Sequence, residues 1–418
     1  MAFNETQLAS ILEINPKTTL KKGTVAKKIA MEHLHEYIKR IQGYELTEFK
    51  GGSKFKNGDT LVARITPCLE NGKTAYVDIL EDEEIAFGST EFFVVRVKEG
   101  KADPQFVYYL MRSPEIRNIT IQSMTGTSGR QRAQKESILD YVMNVPDIDI
   151  QKKIGYILSI FDTKIESNKR IIDTLETISK TIFKHWFIDF EFPNEQGESY
   201  KSSGGEMVES ELGEIPKGWR TGTIDEIGSV VGGGTPSKKH EEYYTSNGIS
   251  WITPKDLSND KNIFIYKGAV DITELGLKKG SAQLLPKNTV LFSSRAPIGY
   301  IAIAGQDVTT NQGFKSVVPD RGFNNYFIYY LLKAKLPTIE AAAGGSTFKE
   351  ISGKGLKEIS IIIPLLEIVE KFRNVVEPLF LQINSLEREN KKLEQLRDTL
   401  LPKLLSGEIE IPDELVVD

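Results

Sequence analysis

The chain has 418 residues, and 53 Lys and Arg against 58 Asp and Glu give a formal net charge of −5 at pH 7. Such a chain is not a generic polycation, so any binding of nucleic acid must come from local basic patches. The single cysteine, Cys68, excludes an internal disulfide framework or a cysteine-rich zinc module and fits a reducing cytosol. The N-terminus lacks the pattern of a signal peptide, and no apolar stretch is long enough to span a bilayer. We therefore expect a cytoplasmic protein without membrane insertion.

An internal repeat with a period of about half the chain is the main organisational feature. Three segments of the first half recur in the same order in the second half. They are residues 58–64, 104–112 and 142–146, which match residues 288–295, 325–333 and 360–364. A repeat of this kind predicts two globular units of similar fold.

Each half ends in a segment with the heptad pattern of a coiled coil. Apolar residues recur at alternating spacings of four and three, a mean period of about 3.5 residues. One such segment alone is equally compatible with an amphipathic helix on a globular core, but two matched segments favour pairing with each other. Asn168, Ser179, Asn390 and Arg397 interrupt the apolar rows and are expected to fix one register, and Pro378 is expected to mark a first turn or a kink. The heptad positions are Ile154, Leu158, Phe161, Ile165, Asn168, Ile172, Leu175, Ser179, Ile182 and Trp186 in the first segment and Phe372, Val376, Leu379, Ile383, Leu386, Asn390, Leu393, Arg397, Leu400 and Leu404 in the second.

The domain boundaries follow from this pattern and from a segment rich in turn residues. Glu191 to Ser210 contains Pro, Asn, Gly and Ser, a composition that is typical of a linker. The predicted organisation is a first globular unit at residues 1–146, a long helix at 147–190, a linker at 191–211, a second globular unit at 212–363, and a second long helix with a tail at 364–418.

The predicted fold class is α+β, because short β-like runs and short helices alternate with Gly, Pro and Asn turns and no regular βαβ pattern appears. Strands are predicted at Thr60–Arg64, Glu91–Arg96, Thr289–Phe292 and Ile359–Ile363, and helices at Phe106–Arg112 and Phe327–Lys333. We expect two similar α/β units and two long helices that form an antiparallel coiled coil, related by a pseudo-twofold repeat.

Motifs of known catalytic chemistry do not appear in the sequence. Residues 232–237 are glycine-rich but lack the Gly-Lys-Ser/Thr ending of a phosphate-binding loop. Residues 15–17 lack the second proline and the aromatic residue of an amino-methyltransferase loop. His33 and His35 would share a face only on a strand, whereas residues 30–38 are predicted to be helical, so a polar surface or a local hydrogen bond is the favoured interpretation. The chain is expected to do no covalent chemistry and to hold no metal or cofactor.

Polar and basic loops recur in both halves in a similar order. Their Arg, Lys, Asn, Gln, Ser and Thr side chains are the types that hold phosphates or read base edges, and glycine lets the backbone approach a duplex. Solvated turns are the alternative for any one loop, but the recurrence favours DNA binding. The residues predicted to bind DNA are Lys17, Arg64, Asn71, Lys73, Ser89, Thr90, Arg130, Arg132, Thr235, Ser237, Lys238, Lys255, Ser294, Arg295, Asn311, Gln312, Lys315, Ser346 and Thr347.

Over nearly its whole length the chain resembles the specificity subunit of a type I restriction–modification system. The first unit lacks the Ile-Pro-Lys-Gly-Trp opening that the second has at residues 215–219. The segments that carry the resemblance are residues 58–73 and 87–92 in the first unit, residues 212–219, 233–237, 249–257, 294–299 and 310–314 in the second, and the helix ends at residues 183–192 and 400–409.

The resemblance implies two target-recognition domains, each of which reads one half of a split double-stranded DNA site. It implies two methyltransferase subunits, which supply S-adenosylmethionine and adenine-N6 chemistry, and two restriction subunits, which add ATP- and Mg²⁺-dependent translocation and cleavage. The chain itself is then a non-catalytic subunit. The docking residues that the resemblance implies are Phe183, Trp186, Phe187, Leu401, Leu404 and Leu405, for which packing within the fold is the alternative.

The two long helices are expected to set the distance between the half-sites. A helix of about 36 residues extends about 54 Å, which spans one or more duplex turns of about 34 Å. Two other functions stay open: an enzyme with an unrecognised site, and a coiled-coil adapter or stand-alone DNA-binding protein without a restriction partner. Loss of DNA binding on Arg64→Ala or Arg295→Ala with intact folding would argue against an adapter.

Overall fold

The computed structural model describes residues 3–295, 297–345, 349–412 and 415. The chain divides into two compact units, which we call unit 1 (Met1–Ser167 with Asn390–Asp418) and unit 2 (Asn168–Glu389). Each unit therefore combines one globular part with segments of both long helices. Within the described residues, no helix is both long and apolar enough to cross a membrane.

Unit 1 contains two four-stranded sheets and a separate two-stranded pair. Its first sheet has the order β2-β9-β6-β7 and is antiparallel throughout. Its second sheet has the order β4-β3-β8-β5, in which β3 and β8 run parallel. The strands are β1 (Phe3–Gln7), β2 (Leu12–Ile14), β3 (Val25–Ile29), β4 (Glu45–Glu48), β5 (Ser53–Phe55), β6 (Thr60–Ala63), β7 (Thr74–Tyr76), β8 (Ala86–Gly88), β9 (Phe92–Val97) and β10 (Val142–Pro146), and the helices are α1 (Pro104–Arg112), α2 (Pro114–Gln122), α3 (Glu136–Leu139) and the start of α4 (Ile148–Phe187).

Unit 2 repeats this arrangement with one additional strand in its first sheet. That sheet has the order β14-β22-β19-β20-β17, and its second sheet, β15-β18-β16-β21, again contains one parallel pair, β16 with β21. The strands are β11 (Met207–Val208), β12 (Ile215–Pro216), β13 (Arg220–Thr223), β14 (Ser229–Gly232), β15 (Tyr244–Thr245), β16 (Ile249–Ile252), β17 (Phe264–Ile265), β18 (Val270–Ile272), β19 (Val290–Ser294), β20 (Ile298–Ala304), β21 (Thr309–Thr310), β22 (Lys315–Val318) and β23 (Ser360–Ile363), and the helices are α5 (Pro254–Asn259), α6 (Glu274–Lys279), α7 (Asn325–Ala342), α8 (Gly353–Lys357), the end of α4 and the first part of α9 (Leu366–Ser406), whose end belongs to unit 1.

The predicted repeat is confirmed by matched helix starts and matched strand pairs. Asp103 caps α1 by accepting a hydrogen bond from the Phe106 N–H at 2.8 Å, and Asn324 caps α7 by accepting one from the Phe327 N–H at 2.9 Å. In each unit the strand before the long helix pairs antiparallel with a strand at the start of the globular part, β10 with β1 and β23 with β13. The α+β prediction, the six predicted elements and the two-unit organisation are all correct.

The two long helices pair antiparallel within each unit. In unit 1, Asp162 of α4 meets Arg397 of α9, and Lys153 reaches the Pro412 carbonyl. In unit 2, Asn168 donates to Glu389 at 2.9 Å, and the Phe187 and Phe372 ring centroids lie 5.1 Å apart. As the residue number rises along α4, the number of the contacted residue on α9 falls, so the two helices are antiparallel. All twenty heptad positions are buried or half-buried, which confirms the predicted coiled coil.

Two local expectations were wrong. Pro378 lies within α9 and not in a first turn, and its side chain is exposed, so the coil does not begin there. Residues 30–38 form one 3₁₀ turn and not a longer helix, since Tyr37 adopts a left-handed φ of 57°. The linker at residues 191–211 is largely turn and loop, but it also packs on unit 2, where Phe192 stacks on Trp219 with ring centroids 5.1 Å apart.

Candidate nucleic-acid interface

In unit 1 a glycine-containing hairpin lies against the end of a buried strand. We call residues 125–132 hairpin 1. Thr125 and Arg132 exchange two backbone hydrogen bonds of 3.0 and 2.9 Å across its base. Gly126 and Gly129 have φ values of 126° and 78°, a region that favours glycine. The Ala133 N–H donates to the Arg64 carbonyl at 2.8 Å, which fixes hairpin 1 beside the end of β6.

Three of the residues predicted to bind DNA come together at the base of hairpin 1. The Arg64 N–H donates to the Glu91 carbonyl at 3.0 Å, and the Ser89 Oγ accepts a hydrogen bond from the Glu91 N–H at 3.1 Å. The structure therefore places Arg64, Ser89 and Arg132 around Glu91. Glu91 itself was not predicted as a site residue, since an acidic side chain gives no DNA-binding signal in a sequence.

Glu91 holds the two arginines through its carboxylate. Arg132 engages it with two nitrogens: the Nη2 donates to Oε1 at 2.7 Å, and the Nε lies 3.0 Å from both oxygens. The Arg64 Nε lies 3.8 Å from Glu91 Oε2. Within the described residues the Arg64 Nε has no hydrogen-bond partner, and the guanidinium stacks over the Phe93 ring at 5.3 Å. Two cations thus converge on one carboxylate.

The other predicted residues of unit 1 lie in neighbouring or separate loops. Asn71 is exposed on the turn between β6 and β7, while Lys73 at the end of that turn donates to the Met31 carbonyl at 3.0 Å. Thr90 and Arg130 are exposed, the first beside Glu91 in the chain and the second within hairpin 1. Lys17 is exposed in the loop after β2 and lies apart from this group in the chain.

In unit 2 an equivalent segment closes against the end of β19. We use the name hairpin 2 for the described residues 344, 345, 349 and 350, of which Gly344 pairs with Glu350. The Ile351 N–H donates to the Ser294 carbonyl at 3.1 Å, and the Ser294 N–H donates to the Gly313 carbonyl at 2.7 Å. The same backbone pattern anchors hairpin 1. Two predicted residues, Ser346 and Thr347, lie outside the described residues.

A second ionic cluster occupies the base of hairpin 2. The Arg295 Nη1 lies 3.5 Å from Glu350 Oε2, and the Lys315 Nζ lies 3.8 Å from Glu350 Oε1. Arg295, Lys315 and Glu350 are all partly accessible. As in unit 1, two cations converge on one carboxylate, although in unit 2 both cations lie at strand ends and the carboxylate belongs to the hairpin. The predicted pair Arg295 and Lys315 is therefore brought together, and Glu350 is again a residue that the sequence did not single out.

The glycine-rich loop after β14 packs on the loop that precedes β22. The Thr235 hydroxyl donates to the Gln312 side-chain oxygen, and the Gly234 N–H donates to the Thr310 carbonyl at 2.8 Å. A Cβ at Gly233 would lie 2.0 Å from the Asn311 carbonyl oxygen, so only glycine permits this approach. Two separate sequence motifs, residues 232–237 and 310–314, thus form one polar surface.

The remaining predicted residues of unit 2 differ in accessibility. Asn311 turns its side-chain oxygen inward, where it accepts a hydrogen bond from the Gly313 N–H at 2.8 Å. Ser237, Lys238 and Lys255 are exposed; Lys255 lies in the first turn of α5. Their side chains are therefore available to a ligand, although they lie on elements other than those that carry the Arg295 cluster.

The prediction that Ser294 binds DNA requires a correction. The Gly58 and Asn288 N–H groups make equivalent bonds, to Val77 and Ala304, at 2.9 and 2.8 Å. This register aligns Arg64 with Ser294, whereas the sequence comparison had aligned it with Arg295. Ser294 is fully buried, and its hydroxyl donates to the Gly313 carbonyl at 3.1 Å. It therefore holds the loop together and presents nothing at the surface.

The docking role that the resemblance implied for the residues at the helix ends also requires a correction. Phe183 and Phe187 are buried in the core of unit 2, where both rings pack on Phe327 and Phe372. Trp186 is half-buried and packs on Phe372 at 6.0 Å. Leu401, Leu404 and Leu405 are buried in the core of unit 1. Packing within the fold, the alternative at the sequence level, is what the structure shows, since these side chains fill the space between the helices and the globular parts.

The site contains charged and amide groups but no arrangement of metal ligands. Within the described residues, no group of three or more His, Cys, Asp or Glu side chains is placed to hold a metal ion. His33 accepts a hydrogen bond from the Ala30 N–H at its Nδ1, at 3.0 Å, which confirms its interpretation as a local hydrogen-bonding residue. What the two clusters can do chemically is to bind anions through paired guanidinium and ammonium groups.

Comparison with known proteins identifies the family. Residues 2–177 and residues 216–395 each match the family described as the type I restriction modification DNA specificity domain. The chain belongs to this family. The two matches start in the globular parts and extend into the long helices, so each specificity domain includes a share of the coiled coil.

Individual relatives carry the same description. The type I restriction enzyme MjaIX specificity subunit of Methanocaldococcus jannaschii is 42% identical over 193 residues, which is 46% of this chain and less than half, 44%, of that relative. The type I restriction enzyme HindI specificity subunit of Haemophilus influenzae is 28% identical and matches 85% of this chain and 87% of that relative. The crystal structure of a type I restriction-modification system S subunit from M. genitalium covers 97% of this chain and 96% of its own, with a TM-score of 0.56 at 16% identity, and so shares the fold.

Proposed function

We propose that this chain is the DNA-recognition subunit of a type I restriction–modification complex, in which each unit reads one half of a bipartite double-stranded target. The observation that carries this proposal is the repeated hairpin. Hairpins 1 and 2 are anchored through equivalent backbone hydrogen bonds, and at the base of each hairpin two cations meet one carboxylate beside the end of the same strand of the repeat, β6 or β19. Two half-sites of a duplex require two such binding regions, one in each unit.

The reading chemistry combines phosphate contacts with base contacts. Arg64, Arg132, Arg295 and Lys315 are suited to phosphates, because guanidinium and ammonium groups form charge-assisted bonds with them. Gln312 and Asn71 are exposed amides in the same two regions, and amides read adenine edges in the major groove. The small net negative charge of the whole chain makes such local clusters the source of affinity.

The chain works with catalytic partners in this proposal and does no chemistry itself. Two methyltransferase subunits bind S-adenosylmethionine and methylate adenine N6, with the target base turned out of the duplex into their pocket. Two restriction subunits bind ATP and Mg²⁺ for translocation and cleavage. No residue of this chain is assigned to a cofactor, and the complex acts in the cytoplasm, where the DNA is.

We assign partner docking to exposed apolar residues of the long helices, since five of the residues implied at first are buried and the sixth, Trp186, is half-buried. Ile171 and Ile178 lie seven positions apart on one face of α4 and are 38% and 43% exposed. Contiguous exposed apolar patches are typical of interaction surfaces. Replacing both by glutamate should abolish co-purification with the methyltransferase subunit. Leu284→Glu, at a loop residue that is 50% exposed, is the matched control and should leave co-purification unchanged.

The test of the function is a map of methylated adenines. The chain is co-expressed with its neighbouring methyltransferase subunit, and methylated positions are read across the host genome. Two short half-sites around a fixed nonspecific gap are expected. A soluble complex without any such motif would contradict DNA reading and leave the chain as an adapter; methylation that needs no partner subunit would indicate an enzyme.

A further inference from the structure

Each unit places one carboxylate of the chain between the two cations at the base of its hairpin. In unit 1 the carboxylate is Glu91, which bonds Arg132 at 2.7 Å and lies 3.8 Å from Arg64. In unit 2 it is Glu350, which lies 3.5 Å from Arg295 and 3.8 Å from Lys315. The DNA-binding proposal explains the cations but does not explain why each unit holds an acid at their centre.

The repeat alone does not account for these carboxylates. Arg132 and Glu350 occupy the same backbone position, because each pairs across its hairpin base with Thr125 or Gly344. Their charges are opposite. The carboxylate comes from the strand side in unit 1 and from the hairpin side in unit 2. The two units therefore share an arrangement, one carboxylate contacted by two cations, although the residues that build it are exchanged.

A carboxylate in this position is a chemical substitute for a phosphate. Both groups offer two oxygens in one plane to a guanidinium fork, and the bonds are of the same charge-assisted type. While Glu91 occupies the Arg132 fork, that fork is not available to DNA. The cluster is accessible to such an exchange, since the Arg132 side chain is 42% exposed and the Glu91 side chain 23% exposed.

We infer that Glu91 and Glu350 are affinity-limiting residues, each of which holds two cations until a DNA phosphate takes its place. This inference rests on the DNA-recognition function proposed above. On nonspecific DNA the bonds that the cations form with phosphate only replace the bonds that they already had with the carboxylate, so binding stays weak. On the cognate half-site the base contacts of the loops add to the same exchange and make binding stable. The two carboxylates thereby lower the affinity for both kinds of duplex by a similar factor, so that stable binding requires the base contacts.

The experiment compares Glu91→Gln and Glu350→Gln in the full chain, co-purified with its methyltransferase subunit. Glutamine keeps the size of the side chain and removes its charge. Binding is measured by fluorescence anisotropy on a duplex that carries the mapped motif and on a scrambled duplex, between about 50 and 200 mM salt. The control is Glu45→Gln, which makes the same charge change in an exposed ion pair of unit 1, with Lys28 at 3.0 Å.

Each variant is expected to bind both duplexes about fivefold or more tightly, because its cations no longer exchange a carboxylate for a phosphate. The control should bind neither duplex more tightly. An equal gain in the control would show a bulk charge effect and overturn the inference. Weaker binding to both duplexes with an unchanged melting temperature would also overturn it, because the carboxylate would then only position the hairpin.

Failure of the proposed function gives a different result. If the unaltered complex does not distinguish the two duplexes, DNA reading fails, and the inference fails with it. If it does distinguish them and neither glutamine variant binds either duplex more tightly than the unaltered complex does, the inference alone is wrong. Should one variant not fold, the other unit tests the same point; loss of folding in both would mean that the carboxylates are structural and would overturn it.

Discussion

Asp162 on α4 and Arg397 on α9 form a buried ion pair in unit 1, and an apolar contact replaces it in unit 2. Both side chains are nearly inaccessible. Tyr109 donates its hydroxyl to Asp162 at 2.6 Å. In unit 2 the matching tyrosine, Tyr330, packs on Phe380 with ring centroids 5.8 Å apart. Phe380 and the buried Ser179 take the places of the two charged residues.

Removing only one partner of this ion pair should lower the free energy of unfolding of unit 1. Burial lowers the pKa of Arg397, but the Asp162 and Asp398 carboxylates raise it further, so the net change is upward and the guanidinium stays charged. Arg397→Ala leaves the Asp162 carboxylate buried without its nearest positive charge. We expect a loss of about 3 to 5 kcal/mol in the free energy of unfolding of unit 1, measured by denaturant titration.

A double substitution separates charge from packing. Asp162→Phe with Arg397→Ser gives unit 1 the residues that unit 2 has at the matching positions, and it removes both charges together. Replacing a buried pair by apolar groups is often neutral, so the double variant should be more stable than Arg397→Ala. A double variant that is as unstable as the single one would show that the ion pair itself stabilises unit 1.

The carboxyl of Glu387 gives unit 2 a specific pH dependence. Burial raises its pKa to about 7, although its oxygens accept hydrogen bonds from the Ile263 and Phe264 N–H groups at 2.6 and 3.1 Å. The folded state therefore keeps a proton that the unfolded chain releases near pH 4.5. The stabilising contribution is fully present below pH 4.5 and falls by about 3 kcal/mol as the pH rises through 7.

Thermal melting across this pH range checks the assignment. Glu387→Gln cannot titrate, so its melting temperature should fall less than that of the unaltered chain between pH 4.5 and 7. It should also start lower, because an amide offers one acceptor to two N–H donors. Glu377→Gln, at a more exposed position of the same helix, is the control. Equal pH profiles for the unaltered chain and Glu387→Gln would rule out this carboxyl as the cause.

The sequence predicted the coiled coil, the repeat and four of the strands, because the spacing of apolar residues indicates which side chains are buried. It could not predict the carboxylates, since Glu91 and Glu350 reach their cations only through the hairpin pairing. It also misplaced Phe183 and Leu401, because an apolar residue outside the heptad positions looks the same whether it faces a partner or its own core. The one-residue offset between Arg64 and Arg295 needed the backbone hydrogen bonds of Gly58 and Asn288.

Arg295 should contribute to affinity without regard to DNA sequence. Arg295→Gln removes one cation from the base of hairpin 2, so binding to motif and scrambled duplexes should weaken together. The slope of log affinity against log salt should fall by about 1. Lys217→Gln, which alters an exposed pair with Glu206, is the control and should change neither quantity. Weakening on the motif duplex alone would mean that Arg295 contacts a base.

The coiled coil should set the gap between half-sites. Residues 163–169 and 389–395 face each other through the Asn168–Glu389 hydrogen bond, and they avoid Asp162, Arg397 and Glu387. Deleting both heptads keeps the pattern in register and shortens each helix by about 10 Å. The mapped motif should then show a shorter gap with unchanged half-sites. An unchanged gap would contradict the spacing role, and deleting one heptad alone should abolish methylation because the helices no longer match.

The most direct test of the central claim is a map of methylated adenines after exchange of residues 1–146 for those of a relative. The cut falls between β10 and α4, so the β1–β10 pair moves as one piece. Tyr109 and Arg112 must be retained, because they contact Asp162 and Asp398 on the helices. Two units that read independently predict that one half-site changes while the other half-site and the gap stay the same. A motif in which both half-sites change, or neither does, would contradict the account.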